Sequence, residues 1–343
     1  MNTTTTQVAF LFPGQGSQNV GMGADVYAAS QAARDVFATF DQVLGFSLST
    51  LCFEGPEDIL RLTSNAQPAI VAVSLAYLAA FQEALSPSHF SWSAPLSPAY
   101  TAGHSVGECT ALVAAGALDL KRVAYLVSER GRLMHKEEVA CPGGMAAVIG
   151  LDAETLQAVC DEATQRSLGE VVEELTHPGQ GRVVLANYNA PGQIVIAGEQ
   201  HALEIASALA KERGAKRVIP LPVSGAFHSP TMKPATIGLA HSIEKVDIHN
   251  ASIPIISNIT AQPLTDVHAL RTELAQQVAE SVQWTSTINY LTGAGVTTFF
   301  EIGPGQALAG MIKRIAKGST IINIGSTAEI EKALAQVHEL NLL

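Results

Sequence analysis

The sequence has little of what disulfide frameworks, metal sites and nucleic-acid binders need. Four cysteines occur among 343 residues. None of them forms a CxxC pair, so neither a disulfide framework nor a cysteine-based metal site is expected. Lysine and arginine total 20 against 31 acidic residues, and the net charge is −11. Such a balance argues against nucleic-acid binding, because phosphate contacts need a basic surface.

Long hydrophobic runs and a targeting segment are missing as well. No uninterrupted apolar run reaches the ~18 residues of a membrane span. The first six residues, MNTTTT, contain no basic residue, and a strand-like run over 8–12 follows at once. A signal peptide is therefore not expected. A hydrophobic content of 47% with 15% charged residues is typical of a globular chain. We expect a reduced, cytoplasmic protein without membrane association.

The most informative motif is the pentapeptide Gly103-His104-Ser105-Val106-Gly107. A serine between two glycines, after an apolar run and before a helical pattern, is the signature of a nucleophile elbow. The turn leaves the N–H of Val106 at a helix N-terminus, where an oxyanion could be stabilised. The pattern predicts covalent acyl chemistry on Ser105. A glycine-rich strand-to-helix turn with an idle serine is the alternative.

Strands and helices alternate along both ends of the chain, which predicts a layered α/β fold with a mostly parallel sheet. The middle differs: strands over 145–150, 183–187, 193–198 and 217–222, with helices over 153–164 and 202–213, follow the βαββαβ order of a ferredoxin-like module. We therefore predict a large lobe over 1–140 and 225–343 and an inserted small lobe over 141–224. Residues 86–98 read as a surface loop, 165–181 as a loop or short extra helix, and 274–282 as a helix.

Two further side chains suggest how Ser105 would work. His228 lies in a Gly/Pro-flanked segment where the chain returns to the large lobe, so it is the preferred base. Neighbouring His104 should point to the other side of the strand end. Arg130 shares a helix face with an apolar stripe, and an inward guanidinium needs an anion. That anion is either a protein carboxylate or the carboxylate of a substrate. Gln15, in the first glycine-rich loop, offers a second oxyanion N–H.

Six ordered motifs resemble those of malonyl-CoA:acyl carrier protein transacylases and cover nearly the whole chain: FPGQGSQ at 12–18, GHSVGE at 103–108, RG at 130–131, NYNAPGQ at 187–193, GAFHS at 225–229 and EIGPG at 301–305. The resemblance implies an α/β hydrolase-like large lobe carrying an inserted ferredoxin-like lobe. It also implies roles for individual residues: nucleophile Ser105, base His228, oxyanion N–H groups of Gln15 and Val106, carboxylate clamp Arg130, and a histidine-orienting carbonyl at Gln277. Asn258, Phe227 and His104 fall at positions near that site.

The activity implied is transfer of malonyl from malonyl-CoA to acyl carrier protein for fatty-acid synthesis, with the CoA thioester as substrate and no cofactor or metal. A trans-acting acyltransferase of a polyketide pathway, a serine thioesterase or esterase, and a silent acyl-binding scaffold remain alternatives. Because carrier proteins of this pathway are acidic, we expect a basic docking patch on a monomeric enzyme. The candidates are Lys211, Arg213, Lys216 and Arg217, with Lys313, Arg314 and Lys317 as a second cluster.

Overall fold

The structure is a computed structural model that describes residues 7–86, 92, 94–170 and 175–343. Its strands are β1 (Gln7–Phe12), β2 (Tyr100–Gly103), β3 (Gly143–Ile149), β4 (Val183–Ala190), β5 (Gln193–Glu199), β6 (Arg217–Pro220), β7 (Ile255–Ile256), β8 (Pro263–Leu264), β9 (Val296–Ile302) and β10 (Thr320–Ile324). Its α-helices are α1 (Ala24–Ala29), α2 (Gln31–Leu44), α3 (Leu48–Glu54), α4 (Glu57–Arg61), α5 (Thr63–Leu85), α6 (Gly107–Ala114), α7 (Leu120–Ala140), α8 (Ala153–Gly169), α9 (Gln200–Glu212), α10 (Lys233–Glu244), α11 (Val267–Gln276), α12 (Trp284–Gly293), α13 (Ala307–Ile315) and α14 (Thr327–Glu339).

The larger sheet has six strands in the order β10-β9-β1-β2-β7-β8. Its pairs are parallel except for the β7–β8 pair at one edge. Residues 8–12 of β1 are buried without alternation, as expected for a strand covered by helices on both faces. The prediction of an α/β fold with a mostly parallel sheet is confirmed. The carboxyl ends of β1 and β2 lie side by side, and that edge carries the glycine-rich loop and the elbow.

The smaller sheet is antiparallel, with strand order β4-β5-β3-β6. Helices α8 and α9 cover one face, and their apolar residues form a separate core with the strands, including Val148, Leu156, Val159, Ile196 and Leu209. The order βαββαβ and this strand arrangement confirm the ferredoxin-like module. All four of these strands fall within 141–224. The exact lobe boundaries stay a prediction.

Helix α5 is the central helix of the large lobe. Among the described residues it is the one helix long and apolar enough to cross a membrane, with a mean hydropathy of 1.5, unless the bent pair α2–α3 is counted as a second span. However, 83% of the apolar window of α5 is buried inside the protein. Its side chains pack against α2 and α7. We therefore describe α5 as a core helix.

Two local predictions differ from the structure. The prediction of a helix over 274–282 is wrong, because α11 ends at Gln276 and a single 3₁₀ turn, Gln277–Ala279, follows. This turn places the carbonyl oxygens of Gln277 and Glu280 at 3.0 Å from Nδ1 of His228, and the Gln277 carbonyl also accepts the N–H of Glu280. The segment 165–181 begins as a continuation of α8 to Gly169. Residues 171–174, and 87–91 and 93 of the predicted loop 86–98, lie outside the described residues.

Candidate active site

Ser105 stands at the top of a tight turn between β2 and α6. Its φ of 53° lies in the left-handed region that L-residues rarely adopt. The flanking glycines are required by space. A Cβ on Gly103 would lie 1.9 Å from the carbonyl carbon of Gly107, and one on Gly107 would lie 2.3 Å from the Phe12 oxygen. This strained geometry is that of a nucleophile elbow.

The Ser105 hydroxyl lies 2.7 Å from Nε2 of His228. The other ring nitrogen, Nδ1, faces the carbonyl oxygens of Gln277 and Glu280, each at 3.0 Å. Carbonyl oxygens only accept hydrogen bonds, so Nδ1 carries the hydrogen and Nε2 is the free acceptor for the serine proton. His228 also has a positive φ of 57°. Its imidazole is thus oriented by backbone carbonyls and not by a carboxylate.

Burial keeps the His228 imidazole neutral. Desolvation is the largest cause that lowers its pKa, to about 3, and the charge of Arg130 and the ring of His104 act in the same direction. The two carbonyl hydrogen bonds oppose this shift. At neutral pH the ring is therefore unprotonated, which is the state that a general base needs.

Arg130 of α7 reaches the nucleophile from the opposite side and is 3% exposed. One guanidinium nitrogen, Nη1, donates to Oε1 of Gln67 at 2.6 Å. The other, Nη2, donates to Oε1 of Gln277 at 2.7 Å and to the Ser105 hydroxyl at 3.2 Å. No carboxylate of the described chain lies within ion-pair distance of it. Its partners among the described residues are two amide oxygens and one hydroxyl, which leave the guanidinium suited to bind an anion.

A cavity of about 260 Å³ opens above Ser105, between the two lobes. Gln15, His104, Phe227 and His228 line it, together with small-lobe side chains that include Met145 and Asn189. The backbone N–H groups of Gln15 and Val106 have no acceptor among the described residues. Val106 directly precedes α6, so its N–H is one of the free donors at the start of that helix.

Two more of the predicted site residues have defined partners. Asn258 accepts a hydrogen bond at Oδ1 from the backbone N–H of Ser105, at 2.8 Å. His104 lies 2.9 Å from Oδ1 of Asn189 through Nε2, and its ring packs on Trp284. Nε2 of His104 is therefore directed at Asn189 of the small lobe and not at Ser105.

The similarity of the chain to known proteins agrees with a site built for acyl transfer. Residues 9–331 match the model of the acyl transferase domain. The malonyl CoA-acyl carrier protein transacylase of Bacillus subtilis is 43% identical over 336 residues, covering 98% of this chain and 99% of that protein. The chain belongs to the malonyl CoA-acyl carrier protein transacylase family. The transacylase of Escherichia coli K12 is 37% identical over 329 residues, covering 96% and 99% of the two chains.

Solved transacylase structures share the whole two-lobe fold. The acyl-carrier-protein-S-malonyltransferase of Bartonella henselae superposes with a TM-score of 0.87 at 38% identity, covering 98% of this chain and 100% of that one. A malonyl-transacylase solved in complex with a type II polyketide acyl-carrier protein has a TM-score of 0.86 at 37% identity, covering 96% and 100%. The resemblance predicted from the six motifs is thereby confirmed.

The structure adds residues to the transacylase site that the sequence did not point out. Gln67 is buried in α5, but Ser74 and Gln82 of the same helix are buried as well, so its position alone did not mark it as a site residue. Nothing in the sequence pointed to the Glu280 carbonyl, because every residue has a backbone carbonyl and only the fold decides which of them contacts His228. Glu108 follows the elbow directly and is buried beneath it. Among the described residues, no group of three or more His, Cys, Asp or Glu side chains is arranged to hold a metal ion.

Proposed function

We propose that this chain transfers the malonyl group of malonyl-CoA to the phosphopantetheine thiol of acyl carrier protein, through a malonyl-serine intermediate. The observation that carries the proposal is the position of the Ser105 hydroxyl. It lies between a neutral histidine and a buried guanidinium that has no carboxylate partner among the described residues. The first group activates the serine, and the second is suited to an acyl group that carries a carboxylate.

In the first half-reaction, Nε2 of His228 accepts the proton of the Ser105 hydroxyl as its oxygen attacks the thioester carbonyl. The N–H groups of Gln15 and Val106 stabilise the resulting oxyanion. When the tetrahedral intermediate collapses, the C–S bond breaks and His228 returns the proton to the CoA sulfur. The carbonyls of Gln277 and Glu280 stabilise the imidazolium that exists between these steps.

In the second half-reaction, the carrier thiol gives its proton to His228 and its sulfur attacks the malonyl ester. The Ser105–carbonyl bond breaks, and His228 returns the proton to the serine oxygen. Throughout both steps, Arg130 would hold the distal carboxylate with its planar fork. The amides of Gln67 and Gln277 keep that fork in place.

The hydrolase alternative is weaker because of the partner of the base. Esterases of this elbow type follow the order serine, acid, late histidine, and the acid orients the histidine. Here Nδ1 of His228 faces two carbonyl oxygens, and more than a hundred residues follow it. A catalytically inactive scaffold would not need a serine whose hydroxyl contacts both a neutral base and a buried cation.

The supply of extender units for fatty-acid synthesis is the preferred pathway, and a polyketide assembly line is the alternative. The test is to assay the purified protein with malonyl-CoA and holo-carrier proteins from both pathways. We expect a higher kcat/KM with the fatty-acid carrier. A clear preference for the polyketide carrier would assign the enzyme to the second pathway.

For docking of the acidic carrier, we propose the basic patch of Lys211, Arg213, Lys216 and Arg217. Lys211 is the best placed of these residues, since it lines a groove that shares Leu221 and Val223 with the cavity above Ser105. Arg213 is paired with Glu162 at 2.6 Å, which reduces its availability. Arg217 begins β6, four residues or about 13 Å from Leu221, and Lys216 directly precedes it. In the second cluster, Arg314 donates to the Pro191 carbonyl at 2.7 Å.

Charge-reversal variants test this patch through the KM for the holo-carrier. Lys211→Glu, alone and with Lys216→Glu and Arg217→Glu, is expected to raise KM for the holo-carrier by up to about fivefold per lost ion pair, with KM for malonyl-CoA unchanged. The matched control is Lys332→Glu, because Lys332 is an exposed lysine on α14. If both KM values stay at their wild-type levels in the triple variant, the patch is not the docking site.

We also propose that the enzyme acts as a monomer in the cytoplasm and needs no cofactor, the CoA thioester being its substrate. The proposed chemistry uses only the side chains and backbone groups of one chain. Serine, histidine and arginine suffice for acyl transfer without an electron acceptor or a metal-bound nucleophile.

A further inference from the structure

The carboxyl group of Glu108 lies directly beneath the nucleophile elbow and between two amide side chains. Its Oε1 accepts hydrogen bonds from the backbone N–H and from Nδ2 of Asn258, both at 3.0 Å. Its Oε2 accepts one from Nε2 of Gln277, at 2.6 Å. The residue is 2% exposed. Both carboxyl oxygens are thus occupied as acceptors, and water does not compete for them.

These contacts decide which way each amide faces. A side-chain amide has one accepting oxygen and one donating nitrogen, so fixing one end fixes the other. Because Nε2 of Gln277 donates to Glu108 and to the Ser105 carbonyl, its Oε1 is turned toward Arg130. Because Nδ2 of Asn258 donates to Glu108 and to the Gly103 carbonyl, its Oδ1 is turned toward the Ser105 N–H.

We propose that Glu108 is a positioning residue for malonyl selectivity: as an acceptor on both oxygens, it holds the Gln277 amide oxygen against Arg130 and the Asn258 amide oxygen against the Ser105 backbone. The inference rests on the proposed role of Arg130 as the clamp for the malonyl carboxylate. If the Gln277 amide were reversed, its N–H groups would face the guanidinium and repel it. Glu108 therefore acts on the substrate carboxylate through Gln277 and Arg130, without touching the substrate.

The charge around Glu108 favours the same assignment. Glu273 lies near enough for its charge to act on Glu108, and its own carboxyl accepts from the Ser257 hydroxyl at 2.7 Å and the Ile259 N–H at 3.1 Å. Burial raises the pKa of both carboxyls, and the facing charge of Glu273 raises that of Glu108 further. The pair therefore resists carrying two negative charges, and the three N–H groups that donate to Glu108 favour placing the single negative charge on that residue.

The decisive variant is Glu108→Gln, which keeps shape and volume but replaces one accepting oxygen with a donating amide nitrogen. Gln277 or Asn258 must then turn over or lose its partner. We expect the ratio of kcat/KM for malonyl-CoA to kcat/KM for acetyl-CoA to fall by about tenfold or more, since a hydrogen bond to a charged group is lost from the clamp. A merely structural role would lower both kcat/KM values together and leave their ratio unchanged.

The matched control is Glu137→Gln, which removes another buried carboxyl on a neighbouring helix, one that pairs with His177 and not with the site. It should lower Tm but keep the ratio. If Glu108→Gln does not fold, Glu108→Asp decides: its shorter carboxyl cannot reach both amides, so the ratio should still fall. A ratio within about twofold of wild type in the folded variant overturns the proposal.

Arg130→Ala, assayed in parallel, separates this proposal from the one on which it rests. If Arg130→Ala loses selectivity and the Glu108 variants keep it, the clamp stands and the positioning role fails. If Arg130→Ala itself keeps the wild-type ratio, the clamp fails and the role of Glu108 falls with it. Loss of the ratio in both variants, with Glu137→Gln unaffected, supports the proposal.

Discussion

Replacing Ser105 with alanine is expected to abolish covalent loading by malonyl-CoA and to lower transfer to the carrier by more than about a thousandfold. The serine oxygen is the atom to which the first half-reaction attaches the malonyl group and from which the second removes it, and alanine has no replacement for it. Intact-protein mass spectrometry after incubation with malonyl-CoA measures loading, and a carrier-malonylation assay measures transfer.

The Ser105→Ala result can be interpreted because the rest of the site should persist. Alanine fits the elbow without new contacts, and the Ser105 backbone bond to Asn258 does not involve the side chain. Ser242→Ala is the matched control, since Ser242 is a buried serine on α10, remote from Ser105 in the fold, whose hydroxyl donates to the Gly238 carbonyl. Malonyl-enzyme formation by Ser105→Ala at the wild-type rate would show that a different nucleophile carries the acyl group.

Replacing Arg130 with alanine is expected to reduce the preference for malonyl-CoA over acetyl-CoA by roughly a hundred- to a thousandfold. Removing one partner of a buried ion pair costs about 3–5 kcal/mol, because the other charge is left without compensation. In this variant the unpaired charge is the malonyl carboxylate. Acetyl transfer should change far less, since an acetyl group has no carboxylate to lose its partner.

Two further variants test whether recognition depends on the planar guanidinium of Arg130 and not only on its charge. Arg130→Lys keeps the charge, but a single ammonium cannot replace the planar fork that contacts Gln67 and Gln277 on two sides, so selectivity should fall there as well. Arg132→Ala is the matched control, because Arg132 is an exposed arginine on the same helix and pairs with Glu129. Equal losses of malonyl and acetyl transfer in Arg130→Ala would assign Arg130 to folding and not to substrate recognition.

The elbow and the parallel sheet could be predicted because their signals are local. Glycines at 103 and 107 are needed within a single turn, and the apolar run over 8–12 shows a buried strand on its own. The inward position of Arg130 could also be inferred, from the spacing of apolar residues along one helix. Each of these inferences needs only residues that are near one another in the chain.

Most of the support of the site could not be predicted, because it connects distant parts of the chain. The resemblance implied a role for the Gln277 carbonyl, but not the contact of its side chain with Arg130. Gln67, Gln277 and Glu108 converge on Arg130 and the elbow from α5, the turn after α11, and α6. The break at Gln277 depends on distant residues as well: helix periodicity favours continuation, whereas the turn brings the carbonyls of Gln277 and Glu280 to the ring of His228. Tertiary hydrogen bonds outweigh the local helix pattern here.

A transacylase and a hydrolase differ in where the malonyl group on Ser105 goes: to a carrier thiol or to water. The most direct test is to load the purified protein with malonyl-CoA, remove free CoA species, and follow the intact mass of the malonyl-enzyme in buffer and with holo-acyl carrier protein. We predict a malonyl-enzyme that persists in buffer and is discharged by the holo-carrier, with malonyl appearing on the carrier thiol. Discharge in buffer at the same rate, with free malonate as the product, would contradict the account and identify a hydrolase.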